Sequence, residues 1–183
     1  MNSHYSVFSA DTEVISTGPI YVFDIDGTIA NVKHRLHHVV NNSSGKKDWQ
    51  AFFAAASKDT PYHWMIELMR FLPKARIVLI TGRSDVISDI TMRWLKQHKV
   101  PYAELRMRAQ GHKAQDHQLK IEMAADYMDR IRFVVEDRQA VVNMWRDNGL
   151  NVLQCDEWKE TEDHTEACTK NHTCHYVHKC VAD

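Results

Sequence analysis

In YVFDIDGTIA, residues 21–30, two carboxylates follow directly on a run of strand formers. Tyr21, Val22 and Phe23 favour a buried strand. Asp24 and Asp26 stand two residues apart, so on an extended chain they share a face and can point into one site. Gly27 permits a tight turn there, and backbone N–H groups around Gly27 and Thr28 can face an anion. An aspartate placed this way can attack phosphorus and form an aspartyl-phosphate. A second aspartate beside it can protonate the leaving oxygen and later activate water.

Two further apolar runs end in polar signatures, RIVLITGR at 76–83 and IRFVVEDR at 131–138. In an open parallel sheet, ligands bind at the carboxyl ends of the strands. Asp24, Asp26, Thr81, Arg83, Glu136 and Asp137 are therefore expected at one edge. Crowded carboxylates repel: two unit charges about 4 Å apart cost about 4 kcal/mol at an effective dielectric of about 20. A cation among them relieves this, and oxygen donors on an open edge suit Mg²⁺. Phosphoryl transfer also needs donors around the equatorial oxygens. Thr81 offers a hydroxyl and Lys120 an ammonium, while Arg83 and Arg138 follow their strands directly and are candidate substrate grips.

The elements that must position these groups alternate. Strands are expected at about 19–26, 76–83, in YAELRMR, in IRFVVEDR and in NVLQC. Helices are expected in DWQAFFAAASKD with Asp48 as N-cap, and in PYHWMIELMRFL after Pro61. Further helices are expected in SDVISDITMRWLKQH with Ser84 or Asp85 as cap, in HQLKIEMAADYMDR, and in RQAVVNMWRDNG with Gly149 at its C-terminus. This alternation predicts an α/β fold with a mainly parallel sheet flanked by helices. Residues 1–18 read as a loosely held lead-in and 19–155 as the sheet domain. Residues 31–60 read as an insertion after the first strand, able to form a small helical cap. Trp64 and Trp94 fall in helical apolar patterns and are expected in the core.

The set Asp24-Ile25-Asp26-Gly27-Thr28, Thr81-Gly82-Arg83, Lys120 and Glu136-Asp137 resembles the four motifs of the haloacid dehalogenase (HAD) phosphatase superfamily. VVEDRQAVVNMWRDNGLNVLQC, ITGR and LRMRAQGHKAQDHQLK look closest to the 3′-phosphatase domains of bacteriophage polynucleotide kinases. The resemblance implies a Rossmann-like HAD fold and a Mg²⁺-dependent phosphomonoesterase. In it Asp24 would be the nucleophile and Asp26 the general acid/base. Thr81 and Lys120 would hold the phosphoryl group. Gly27, Thr28, Gly82, Arg83 and Arg138 would bind substrate, and Asp24, Asp26, Glu136 and Asp137 would form the Mg²⁺ site. It also implies a nucleic-acid 3′ end as substrate and a role in end repair, as in a phage-infected bacterial host.

Three features depart from that pattern. Glu136 stands where the phage phosphatase has an aspartate, which suggests a water-mediated metal contact. No GxxxxGK[ST] occurs, so the kinase half is not expected. The segment 156–183 is rich in Cys and His. There His164, Cys168, Cys174 and Cys180 are candidate ligands of a structural Zn²⁺.

Within the insertion, His34, Arg35, His37, His38, Lys46, Lys47 and Trp49 are candidate contacts to phosphate or base. Composition bounds the choice of function. The chain has 183 residues, 44% hydrophobic, with a formal net charge of −1. That suits one domain, and no basic excess announces a long nucleic-acid track. The four cysteines, Cys155 among them, lie near the C-terminus, so the main core is expected to form without disulfides. No apolar run approaches the ~20 residues of a membrane span, and the N-terminus lacks a signal pattern, so an intracellular protein is the default. Two alternatives stay open: a nucleotidase acting on mononucleotides or small phosphoesters, and a non-catalytic HAD-like binding domain.

Overall fold

The computed structural model describes residues 4–10, 17–40 and 47–156. Its main sheet has six strands: β1 (Tyr5–Ser9), β2 (Ile20–Phe23), β5 (Ile77–Ser84), β6 (Glu104–Arg108), β7 (Ile131–Glu136) and β8 (Val152–Gln154). Their order is β1-β6-β5-β2-β7-β8. All neighbours are parallel except β1, which runs antiparallel on the β6 edge. The strand that leads into Asp24 is therefore central, between β5 and β7. Two short strands, β3 (Ala30–Asn31) and β4 (Thr60–Pro61), pair antiparallel and bring the two ends of the 31–60 segment together.

Strand alternation feeds two cores. Ile20, Val22, Val78, Ile80 and Val134 face one side, where they meet Leu119 and Met123 of α4 (Asp116–Ala124) and Val141 and Trp145 of α5 (Gln139–Asp147). Phe23, Ile77, Leu79 and Val135 face the other. They meet Met65, Ile66 and Met69 of α2 (His63–Arg70) and Trp94 and Leu95 of α3 (Ser88–Gln97). Each fully buried aliphatic side chain contributes about 1.5–3 kcal/mol of transfer free energy. Both faces of the parallel strands are covered, which is why they read as continuous apolar runs.

Most expected elements are present within a few residues. α1 (Trp49–Ala54) begins as expected, with the Asp48 carboxylate accepting from the Ala51 N–H at 2.9 Å. Gly149 follows α5 at φ +79°.

Three expectations are corrected. Residues 5–9 of the lead-in form β1, because their backbone groups find the open edge of β6, with Tyr5 opposite Arg108. α3 starts later than expected. β5 runs through to Ser84 and a 3-10 turn over Asp85–Ile87 intervenes; Ser84 caps that turn by accepting from the Val86 N–H. Trp64 is 53% exposed rather than in the core, because α2 buries the stripe of Met65, Ile66 and Met69 and turns Trp64 outward. Trp94 is buried as expected, and its indole N–H donates to the Asp59 carbonyl at 2.7 Å. No helix among the described residues is long and apolar enough to cross a membrane.

Candidate active site

At the end of β2 the ladder continues for one bond, from the Asp24 N–H to the Val135 carbonyl at 3.1 Å. The chain then turns sharply. The Ile25 carbonyl accepts from the N–H groups of Thr28, Ile29 and Ala30, and the Gly27 N–H donates to the Ala30 carbonyl at 2.8 Å. The turn needs φ +88° at Gly27, a region that costs other residues strain. It also needs room, since a Cβ there would lie 1.9 Å from Asp137 Oδ2.

Asp24, Glu136 and Asp137 offer one oxygen each within 4.8 Å of one another, and all three are buried. Lys120, from α4, places Nζ 2.7 Å from Asp24 Oδ1 and 2.7 Å from Glu136 Oε2. Burial pushes the Asp24 carboxyl up to about 7; Glu136 and Asp26 add to this, and Lys120 opposes it. Burial also pushes Asp137 up to about 9, with Asp24 and Glu136 adding to it. Lys120 is held above its ordinary range: burial disfavours its charge, but Asp24, Glu136 and Asp116 outweigh that. One ammonium thus faces three carboxylates. Asp137 Oδ1 is buried with no hydrogen-bond partner among the described residues. Hard oxygen donors with excess negative charge and an orphaned lone pair fit a divalent cation such as Mg²⁺.

Asp26, expected beside these residues, has a different environment. It lies outside the cluster of three because two guanidiniums hold it. Arg35 Nη2 donates to Asp26 Oδ1 at 2.7 Å and Arg83 Nε donates to the same oxygen at 2.8 Å. Burial works against its charge, but Arg83 and Arg35 win and hold its carboxyl below the ordinary value. Asp59 binds the same two arginines. Arg35 Nε and Nη2 reach its two oxygens at 2.7 and 2.8 Å, and Arg83 Nη2 reaches Oδ2 at 2.7 Å. Arg35 and Arg83 are both buried. Arg83 is therefore bound to both Asp26 and Asp59, as a guanidinium out of water needs counterions, while its Nη1 has no hydrogen-bond partner among the described residues.

The remaining expected groups fall around this centre. Thr81 is buried, and its hydroxyl accepts from the Arg83 N–H at 3.2 Å. Thr28 is buried and its oxygen accepts from the Cys155 thiol at 3.5 Å. The Gly82 carbonyl accepts from Arg108 Nε at 3.2 Å, and a Cβ on Gly82 would lie 2.7 Å from Asp116 Oδ1. Arg138 is partly exposed and is paired with Asp116, which also binds Arg108. His34 binds Asp59 at 2.9 Å, the His37 ring lies tilted against that of His38, and Lys47 and Trp49 are exposed. Lys46 and the Zn²⁺ candidates His164, Cys168, Cys174 and Cys180 lie outside the described residues.

Asp59 and Asp116 escape a reading of the sequence. Asp116 carries one signal, since it precedes Lys120 by one helical turn. Asp59 carries none, because nothing local links it to its partners Arg35 and Arg83, each 24 positions away along the chain.

A family model for the polynucleotide kinase PNKP phosphatase domain matches residues 19–159. None of the curated proteins matches the chain. Among solved structures, one described as a Pnkp1/Rnl/Hen1 complex is similar, with a TM-score of 0.62 and 22% identity. The match covers 80% of this chain and 48% of that one, so the chain spans about half its length. A HAD-like phosphatase from Mesorhizobium loti is similar with a TM-score of 0.58 and 14% identity, over 82% of this chain and 78% of that one. A phosphatase structure from Clostridium difficile follows with a TM-score of 0.52 and 17% identity, over 76% and 85%. At these identities the structures bear on the fold, which is the HAD fold. Together with the matched stretch, which spans all four motifs, they place the chain in the HAD phosphatases, and it belongs to the polynucleotide kinase PNKP phosphatase domain family.

Proposed function

We propose that the chain is a Mg²⁺-dependent phosphomonoesterase that removes 3′-phosphates from nucleic-acid ends through an aspartyl-phosphate. One observation carries this reading. Two aspartates two residues apart occupy opposite environments, Asp24 beside Lys120 in the carboxylate cluster and Asp26 between Arg35 and Arg83. Environments that separate two titrating groups are how one site divides nucleophile from acid/base. A retired binding domain has no physical need of such an arrangement.

An Asp24 oxygen attacks phosphorus, and the bond from phosphorus to the 3′ oxygen breaks. Asp26 gives its proton to the departing oxygen. Water then attacks phosphorus, Asp26 takes a proton from it, and the acyl-phosphate bond breaks to return Asp24 and inorganic phosphate. Free Asp26 is held ionised by its two arginines, the form needed to activate water. The doubly charged ester entering beside it raises its proton affinity for the first step. Lys120 and Thr81 hold the phosphoryl oxygens. Asp24, Asp137 and Glu136 would hold the Mg²⁺, which supplies positive charge against the phosphoryl group.

The 31–60 segment, closed at its base by β3 and β4, would serve as a small cap that limits water access. The nucleic-acid substrate is supported by the family and by a similar structure described as an RNA repair complex, at 20% identity and a TM-score of 0.60.

The test is phosphate release, with Mg²⁺, from a 3′-phosphorylated oligonucleotide and from the matched 3′-mononucleotide. Asp24→Asn should abolish release, and Asp26→Asn should lower kcat by about 10²–10⁴-fold. Faster release from the mononucleotide would make the chain a nucleotidase. No release from either above the Asp24→Asn background would remove both readings.

A further inference from the structure

The insertion carries an aromatic surface that the chemistry above does not use. Trp49 opens α1 and is 49% exposed. Its ring stacks on Phe53, with centroids 5.8 Å apart and planes 29° apart, and meets Phe52 edge-on at 5.7 Å. Phe52 is buried under Arg35, whose guanidinium carbon lies 4.0 Å from the ring centroid. The same guanidinium reaches Asp26 at 2.7 Å. An open tryptophan is thus connected to the acid/base carboxylate through two side chains in series.

Basic side chains stand on the neighbouring segments, one of them, His34, bound to Asp59 at 2.9 Å. Exposed Lys47 lies two residues before Trp49. His34 and His37 are exposed on the 3-10 turn Lys33–His38, against which α1 packs. A purely packing role is filled by Phe52, which is buried, whereas Trp49 leaves half of its surface to water. Cationic groups that track a backbone, interleaved with rings on which bases stack, are the means by which single strands are bound without sequence readout.

We propose that Trp49, backed by Phe53, is the stacking platform for a nucleobase of the strand whose 3′-phosphate is processed. The proposal rests on the polynucleotide reading above and deepens it. Any base has a face to stack, so little sequence preference is expected, and a phosphoester without a base forgoes the contact.

The test uses the full chain carrying Asp24→Asn, and fluorescence anisotropy with a short 3′-phosphorylated deoxyoligonucleotide. A second oligonucleotide has its last two nucleotides abasic. Adding Trp49→Ala should weaken binding of the first about tenfold, while Trp49→Phe keeps most of the affinity and checks that α1 is intact. On the abasic strand the Trp49→Ala loss should vanish, because the ring has no partner there. An equal loss on both strands, no loss on either, or no binding of the oligonucleotide by the Asp24→Asn chain would each overturn the platform. Turnover of the oligonucleotide by the wild type without a Trp49 effect refutes the platform and leaves the phosphatase reading standing. A Trp49 effect on binding without turnover does the reverse.

Discussion

Gly27 and Asp137 occupy adjoining space that admits no side chain on the glycine. A Cβ on Gly27 would lie 1.9 Å from Asp137 Oδ2 and 2.5 Å from its carboxyl carbon. The φ of +88° adds a second reason for glycine. The turn after Asp24 and the last carboxylate of the cluster are thereby built as one unit.

Gly27→Ala should consequently do more than strain a turn. The backbone conformation alone costs about 1–3 kcal/mol in a residue with a side chain, and Asp137 must also move. Differential scanning fluorimetry should record a lower Tm, and Mg²⁺ should stabilise the variant less than the wild type. Gly111→Ala is the control, since Gly111 also has a positive φ but nothing within 4 Å of an added Cβ. A Gly27→Ala chain that responds to Mg²⁺ as the wild type does would break the link between turn and cluster.

Asp59 is the shared counterion of Arg35 and Arg83, and all three are buried. Asp59→Asn keeps the shape and removes the charge. Taking one partner from a buried ion pair costs about 3–5 kcal/mol, because the other charge stays desolvated. Urea denaturation of the variant should show a lower midpoint at unchanged slope, corresponding to a loss of unfolding free energy of that size. A shift below about 1 kcal/mol, the range of a surface pair, would mean that solvent reaches these arginines.

The carboxylate cluster makes the metal-free chain sensitive to alkali. Asp24 and Asp137 have folded-state values of about 7 and about 9, both raised above the ordinary carboxyl. The folded chain therefore binds more protons than the unfolded chain between about pH 4 and 9. The associated stability is fully present below about pH 4 and is lost as pH rises through 7 and then 9. In EDTA, Tm should fall from pH 5 to pH 8.5, and Mg²⁺ should raise Tm more at the higher pH. Asp137→Asn should flatten the EDTA profile. A Tm in EDTA that rises over this range would contradict the assignment.

Much of this protein was determined by local sequence. The three apolar runs ending in FDIDGT, LITGR and VVEDR place their polar residues at one sheet edge, because buried parallel strands demand continuous apolar faces and their ends do not. Asp24, Lys120, Glu136 and Asp137 do meet there. The Asp48 cap and the Gly149 terminator were equally legible, since each depends on neighbours a few positions away.

What the tertiary structure alone decided is the partnering of charges across long separations. Asp26 faces Arg35 and Arg83 rather than the Asp24–Glu136–Asp137 cluster, and Asp59 joins the two arginines from the far end of the insertion. Arg83, a candidate substrate grip in ITGR, is buried between Asp26 and Asp59. Tyr5–Ser9 reads as a loose lead-in, yet it completes the β6 edge. Local propensity cannot register these outcomes. A charge goes where the folded chain can neutralise it, and an edge strand goes where unpaired backbone groups await it. Both conditions exist only once the sheet has formed.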